Sequence, residues 1–365
     1  MKERIKRFIR NSDTCKKVIK KLHEVSTQEI DRKNGVVRKT PARDSAAYSE
    51  IIYPKVKESL YNKRINNYLL EKQLGAPFRR WVVEQMFFST VGRFPNIDNP
   101  VGLNEKMQWM REHYHDPLMT KCVDKYTFKE YIREKIGEEY VVPLYGVWTN
   151  VNDIDFDLLP DTFIIKSTWG WGDLQNIIVK DKQYLNQARA KAMLSNWMMP
   201  WNNYYYQSFE WDSKDIPPRI LAEELLVPKN GEIVDYKLYC YNGKCQHFLV
   251  CKDRKTKTKY INYDLDFNCI KLSPNSTVVK EKFEDVELFE KLKGLAEKLA
   301  EPFPLVRVDF YYIDGKIYVG ELTFSPGGGF NTYYEEWDKI LGEKLVLPEA
   351  NVVCEDNAEL ADGWR

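Results

Sequence analysis

The sequence predicts an α+β fold, and three observations carry that reading. Helical spacing prevails before about residue 143, strand-like runs prevail after Pro143, and the strands come largely as hairpin pairs rather than strand–helix–strand units. The expected architecture is therefore a mainly helical N-terminal region followed by antiparallel sheets. No repeat and no low-complexity tract interrupts it.

The chain starts with nine basic residues in its first 21 (Lys2, Arg4, Lys6, Arg7, Arg10, Lys16, Lys17, Lys20 and Lys21) against Glu3 and Asp13, with Ile5, Phe8 and Ile9 between them. This is a basic helix with two open readings: peripheral contact with an anionic membrane, or a solvated helix docked on its own domain. Residues 28–49, with Asn34-Gly35 and Pro41, read as a linker. From Tyr53 the pattern turns helical, and a helix over 107–114 stops at Asp116-Pro117. A second helix over 119–135 follows, with Phe128, Ile132 and Ile136 at four-residue spacing and Gly137 at its end. Strands are expected at 163–165, 176–179, 219–222, 236–241, 246–251, 305–312 and 316–324, with one helix among them near 286–299.

At 365 residues and 43% hydrophobic content, the chain has material for two domains or one large two-lobed unit. Its 55 basic and 54 acidic residues nearly cancel, so no global field calls for nucleic acid. Seven cysteines without a CxxC pair suit packing in a reducing compartment better than a disulfide framework or a zinc site. No apolar run approaches the roughly 18 residues of a membrane span, and the charged start does not resemble a signal peptide. The expected location is the cytoplasm, with peripheral contact at the inner membrane face through residues 1–21 as the accompanying reading. The four histidines (His23, His113, His115 and His247) are scattered, and His113 with His115 reads as a surface pair. An aromatic run from Trp197 to Trp211 admits sugar stacking or layer packing, and packing is the favoured reading.

The chemistry concentrates in residues 304–330, PLVRVDFYYIDGKIYVGELTFSPGGGF. Arg307 and Asp309 share one face of the first strand, with Val306, Val308 and Phe310 on the other, while Glu321 and Thr323 share a face of the second. Buried carboxylates need compensating charge, and Mg²⁺ with a phosphate chain supplies it. Register decides whether the two sets meet. A two-residue turn at Asp314-Gly315 would set Asp309 against Gly320, so a three-residue loop of Ile313, Asp314 and Gly315 is the expectation that brings Arg307, Asp309 and Glu321 together. Upstream, a strand ends in Lys166 and is followed by STWGWG, a turn able to fold N–H groups over phosphates. The segment Leu221-Ala222-Glu223-Glu224-Leu225 closes another strand with paired acids.

These pieces resemble, in their order, the ATP-grasp superfamily and specifically its TupA-like branch, associated with teichuronopeptide and surface-polysaccharide synthesis. The phrases that carry the resemblance are LNEKMQWM at 103–110, DPLMTKCVDKYTFKEYI at 116–132, FIIKST at 163–168, PPRILAEELL at 217–226, DYKLYCYNGK at 235–244 and VRVDFYYIDGKIYVGELTFSPGGGF at 306–330. The resemblance spans roughly residues 100–345 and implies two α+β lobes clamping ATP. It divides the chain into a helical N-terminal region (1–118), a pre-ATP-grasp segment with the smaller nucleotide-clamping lobe (119–226), a larger catalytic lobe (227–350) and a tail (351–365).

By similarity to D-alanine–D-alanine ligase, Lys125 and Lys166 would bind phosphate, and Glu223, Glu224 and Leu225 would form the adenine and ribose hinge. Lys237 would be a further nucleotide contact and Arg307 would meet the transferred phosphoryl, the two forming the catalytic set. Asp309, Glu321 and Thr323 would hold Mg²⁺, with Thr323 standing where many relatives have asparagine. The implied reaction phosphorylates a carboxylate with ATP and passes the acyl group to an amine. The implied partners are a carboxylated sugar, expected to be a uronic acid, and an amino acid or small amine. A kinase or transferase that forms no amide, and a nucleotide-binding scaffold, are the alternative readings.

Overall fold

A computed structural model describes residues 50–352, except 55–57, 230–231, 254–256 and 281 and the side chains of Glu58 and Asp173. The basic first helix and the 28–49 linker lie outside the described residues, as does the tail beyond residue 352. Among the described residues no helix is long and apolar enough to cross a membrane.

Four helices come first: α1 (Glu58–Val91), α2 (Leu103–His113), α3 (Pro117–Val123) and α4 (Phe128–Lys135). Within α1 the regular path is broken at Gly75, whose φ of +60° suits a residue without a Cβ, with Pro77 just beyond. The helix expected over 119–135 is two helices, a correction with a local cause. Asp124 accepts from the Tyr126 N–H at 2.9 Å and ion-pairs with Arg219, while the Lys125 N–H donates to Thr168 O at 3.1 Å. These bonds replace the helical ladder and fasten residues 124–127 to the strand–turn carrying Lys166.

Five strands, β1 (Ile51–Ile52), β2 (Leu144–Trp148), β3 (Phe163–Ser167), β4 (Asn176–Val179) and β5 (Ile220–Glu223), form an antiparallel sheet in the order β1-β4-β3-β5-β2. Its inner face buries Phe163, Ile165, Ile177 and Val179 against Ala190, Leu194 and Trp197 of α5 (Gln187–Trp197). One helix among the strands was expected; α5 and a short α6 (Tyr205–Ser208) join α7 (Val286–Ala300) there, and α8 (Glu335–Lys344) follows the last strand. The apolar stripe of α5 is thin, but Asn186 caps it by accepting from the Arg189 N–H at 3.0 Å.

The second sheet runs β11-β10-β6-β7-β8-β9, all antiparallel, from β6 (Val234–Tyr241), β7 (Lys244–Lys252), β8 (Lys259–Tyr263), β9 (Cys269–Ile270), β10 (Leu305–Ile313) and β11 (Lys316–Thr323). One face is covered by α7, whose Leu288, Phe289, Leu292, Leu295, Ala296 and Leu299 recur at three- and four-residue spacing. They pack on Val306, Val308 and Phe310 of β10, all fully buried, each such side chain contributing about 1.5–3 kcal/mol. The opposite face carries the charged residues.

The hairpin register differs from expectation in an informative way. Ile313 pairs with Lys316, so Asp314 (φ +50°) and Gly315 (φ +83°) form a two-residue turn of the primed type. The extra residue lies in β11 instead: a bulge at Gly320 lets Asp309 face Glu321 and Arg307 face Thr323. A Cβ on Gly320 would lie 2.8 Å from the Tyr311 ring, so a larger residue there would have to push that ring aside.

The aromatic run proves largely to be packing. Trp197, Tyr205 and Phe209 are buried, and Tyr206, Trp201 and Phe209 meet Tyr68 and Phe78 of α1 edge-on. Cys122, Cys240, Cys245 and Cys251 are free and buried, and Cys269 is free and partly buried, as packing thiols.

Candidate active site

The charged face of the second sheet brings five of the expected residues together. Arg307 donates to both oxygens of Asp309 at 2.6 and 2.7 Å, to Glu321 Oε1 at 2.7 Å and to Thr323 Oγ1 at 3.1 Å. Lys237, opposite Asp309 across β6 and β10, ion-pairs with it and lies 3.4 Å from Asp235. Burial would raise the Asp309 carboxyl, but Arg307 and Lys237 outweigh it and hold the group below the usual carboxylate range. Burial likewise opposes the charged forms of Lys237 and Arg307, and Asp309 raises both above their ordinary values. The result is a preorganised cluster of cations and carboxylates on the charged face of the second sheet.

A second group of charged residues is built by β3, β5 and the 124–127 break. Lys125 donates to Gly170 O in the turn after β3. Burial lowers its ammonium to about 8, opposed first by the charge of Glu321. Glu223 receives Lys166 on one oxygen and Lys129 on the other, the latter at 2.8 Å. Burial would raise the Glu223 carboxyl; Lys166 and Lys129 hold it low. The sequence reading did not single out Lys129, which is 1% exposed and also donates to Val142 O at 2.9 Å. A lysine one turn beyond Lys125 in a helical pattern reads as surface until Glu223 is seen above it. The Glu224 N–H donates to Pro143 O at 2.9 Å, and the Glu224 carboxylate acts on Tyr145 of β2 and Tyr318 of β11. Leu225 follows it, half-buried. Glu224, one of the three residues expected at the hinge, thus lies within electrostatic reach of both sheets.

Of the two tryptophans in the turn, Trp169 is buried and donates its Nε1–H to Trp197 O at 3.0 Å, whereas Trp171 is 53% exposed and stacks on Tyr204 at 5.5 Å.

Beyond β11 the PGGG run forms a turn in which Gly327, Gly328 and Gly329 all have φ between +63° and +68°, open to glycine and strained for other residues. Its carbonyls are caught by α2: Arg111 Nη2 donates to Gly328 O at 2.7 Å and Gln108 Nε2 to Gly329 O at 2.7 Å. The run is therefore a backbone-acceptor turn docked on a helix. Buried beside it lie Glu210, accepting from Tyr204 Oη at 2.9 Å and Ser208 Oγ at 2.7 Å, and Asp212. Neither the acids nor their helix partners were anticipated. The available signal was the spacing of Asn104, Gln108 and Arg111, a polar stripe on a helix that also buries Leu103, Met107 and Met110. His115 is no surface partner of His113: it stacks on Trp211 at 3.7 Å, and burial lowers its imidazole to about 4.

Asp309, Glu321 and Thr323 supply only oxygen donors, the chemistry a hard cation requires, and they number two carboxylates and a hydroxyl. Among the described residues no three His, Cys, Asp or Glu side chains gather into a complete cage. That donor set fits Mg²⁺ held jointly with substrate phosphates.

A family model described as TupA-like ATPgrasp matches residues 105–346. Among curated proteins no relative matches. Solved structures with partial likeness include D-alanine–D-alanine ligase from Bacillus anthracis, at 18% identity and TM-score 0.37, covering 60% of this chain and 65% of that one. The same-named ligase from Helicobacter pylori has 16% identity and TM-score 0.36, covering 62% and 61%, and an L-amino acid ligase from Bacillus licheniformis has 13% and 0.36, covering 64% and 51%. The chain spans less than two thirds of the length of each of these proteins.

Proposed function

The chain belongs to the TupA-like ATP-grasp family, and from that premise we propose that it is an ATP-dependent ligase joining a carboxylate to an amine through an acyl phosphate. The observation that carries the proposal is the Arg307–Asp309–Glu321–Thr323 cluster with Lys237 on one sheet, with Lys125 within electrostatic reach of both Glu321 and the Lys166 of the other sheet.

In this reading Lys125 and Lys166 hold the ATP phosphates, and the backbone around Glu223, Glu224 and Leu225 receives the adenine. Both Glu223 oxygens are already engaged by lysines, so the ribose hydroxyls fall to the Glu224 carboxylate. Lys237 and Arg307 orient and neutralise the γ-phosphoryl as the substrate carboxylate displaces ADP. Asp309, Glu321 and Thr323 would hold Mg²⁺, which when bound supplies charge neutralisation at the phosphates. Enclosure between the sheets keeps water from the acyl phosphate until an amine attacks. The carboxylate is a uronic acid of a surface polysaccharide or its precursor; with the aromatic run buried or partly buried, the exposed ring of Trp171 supports sugar stacking.

ADP release measured with uronic acid alone, amine alone and both together tests the reading. Release that requires both is expected. Release that is independent of amine and yields a phosphorylated sugar would favour a kinase.

A further inference from the structure

The pairing of the second sheet sets out its charged face in cross-strand rows. One row runs Glu321, Asp309 and Lys237 across β11, β10 and β6; the next, two residues along each strand, runs Thr323, Arg307 and Tyr239 and continues to His247 of β7. Two residues of strand span about 7 Å, so Tyr239 stands one row away from the expected metal carboxylates. Its ring stacks on His247, 4.2 Å between centroids and 15° between planes, and packs in one apolar cluster with Tyr241 and Leu305. Tyr333 joins the same cluster from the segment after the PGGG turn. That segment is tied on both sides of it: the Asn331 N–H donates to Asn104 Oδ1 at 3.0 Å and the Tyr334 N–H to Leu272 O at 2.9 Å.

These residues leave three donors open. Arg307 commits Nε and Nη2 to Asp309, Glu321 and Thr323, but among the described residues nothing accepts from its Nη1 or from the hydroxyls of Tyr239 and Tyr333. None of the three is sealed from solvent. The charge of Arg307 acts on both phenols, and the phenols act on each other. Burial raises both above their ordinary value, with Arg307 opposing, so each stays a neutral O–H donor at neutral pH. One cationic and two neutral donors with no acceptor among them suit a planar oxyanion.

We propose that Tyr239 and Tyr333, with Arg307 Nη1, position the substrate carboxylate beside the γ-phosphoryl, the phenols holding one oxygen while the other attacks. The inference rests on the ligase reading above. In the step, the attacking oxygen forms a bond to phosphorus, the bond from phosphorus to the ADP oxygen breaks, and ADP leaves with the electron pair. No proton moves, and the phenols keep theirs. The oxygen they hold becomes the carbonyl of the acyl phosphate and gathers negative charge again when the amine adds, where fixed donors stabilise it.

Tyr239→Phe and Tyr333→Phe test this. Neither hydroxyl makes a bond within the chain, so both variants keep the packing of the rings. Tyrosine 13Cζ NMR on the full chain, with ADP and Mg²⁺ so that no transfer occurs, follows the two phenols, each variant assigning its own signal. Acetate, the smallest carboxylate probe, or D-glucuronate should shift both signals saturably, and each variant should weaken the affinity about tenfold, the worth of one charge-assisted contact. Signals that ignore both probes, equal affinity in the parent and both variants, or signals that respond to an unhydrolysable ATP analogue and to no carboxylate overturn the proposal. A hydroxamate assay keeps this failure apart from that of the ligase reading. Carboxylate binding at the phenols without ATP-dependent hydroxamate counts against the ligase, whereas hydroxamate formed by the parent and undiminished in both variants counts against the phenols.

Discussion

Asp309 and Glu321 share Arg307 but differ in burial, and the difference separates their variants. Asp309 is 2% exposed and holds two cations, so Asp309→Asn leaves buried charge uncompensated and should cost about 3–5 kcal/mol of stability as well as turnover. The Glu321 side chain is 46% exposed. Glu321→Gln should therefore lower ATP turnover about a hundredfold or more with a nearly unchanged melting temperature. Calorimetry beside an ADP-release assay checks both; near-normal turnover in Glu321→Gln would remove it from the metal and phosphoryl set. Lys125 gives a pH prediction. Its ammonium, at about 8, must be charged to hold phosphate, so ATP affinity should fall as pH rises through about 8, and Lys125→Met should abolish that dependence. Arg307, Asp309 and Glu321 were legible because alternate positions of a strand share a face. Lys129, Arg111 and Asp212 were not, because their meaning depends on partners far along the chain, such as Glu223 above Lys129.

The β10–β11 hairpin shows how an element can reach the right pairing by another route. The sequence favours a register that brings Asp309 and Glu321 onto one face, and a longer loop is the direct way to achieve it. The chain uses a two-residue turn and a bulge at Gly320. Turn residues are visible in sequence, but a bulge depends on what the partner strand places beside it, here the Tyr311 ring. Gly320→Ala should therefore destabilise the hairpin by about 1–3 kcal/mol and cut turnover, and Gly320→Ala with Tyr311→Ala should recover part of both. A melting temperature unchanged in the single variant would contradict this account of the bulge. The break between α3 and α4 follows the same logic: the apolar spacing of Phe128 and Ile132 lies wholly within α4 and does not mark where it starts, and only Arg219 and the Thr168 carbonyl reveal why the preceding helix stops.

At the scale of the molecule, the two sheets turn apolar faces to helices, and charged residues of both, Lys166 and Glu223 of one and Glu321 of the other, come within electrostatic reach of Lys125. The α+β class and the hairpin-connected strands were readable from periodicity, and the family phrases set the order of the parts. The five-stranded sheet was less legible, since β1 is two residues long and β2 carries a glycine opposite Ala222. A ligase of this kind makes an acylating intermediate, which hydroxylamine traps. The protein is supplied with ATP, Mg²⁺, hydroxylamine and uronic acids, both free and nucleotide-linked. The account predicts a hydroxamate formed in step with ADP and lost in Glu321→Gln; ADP accompanied by a stable sugar phosphate, with no hydroxamate, would contradict it.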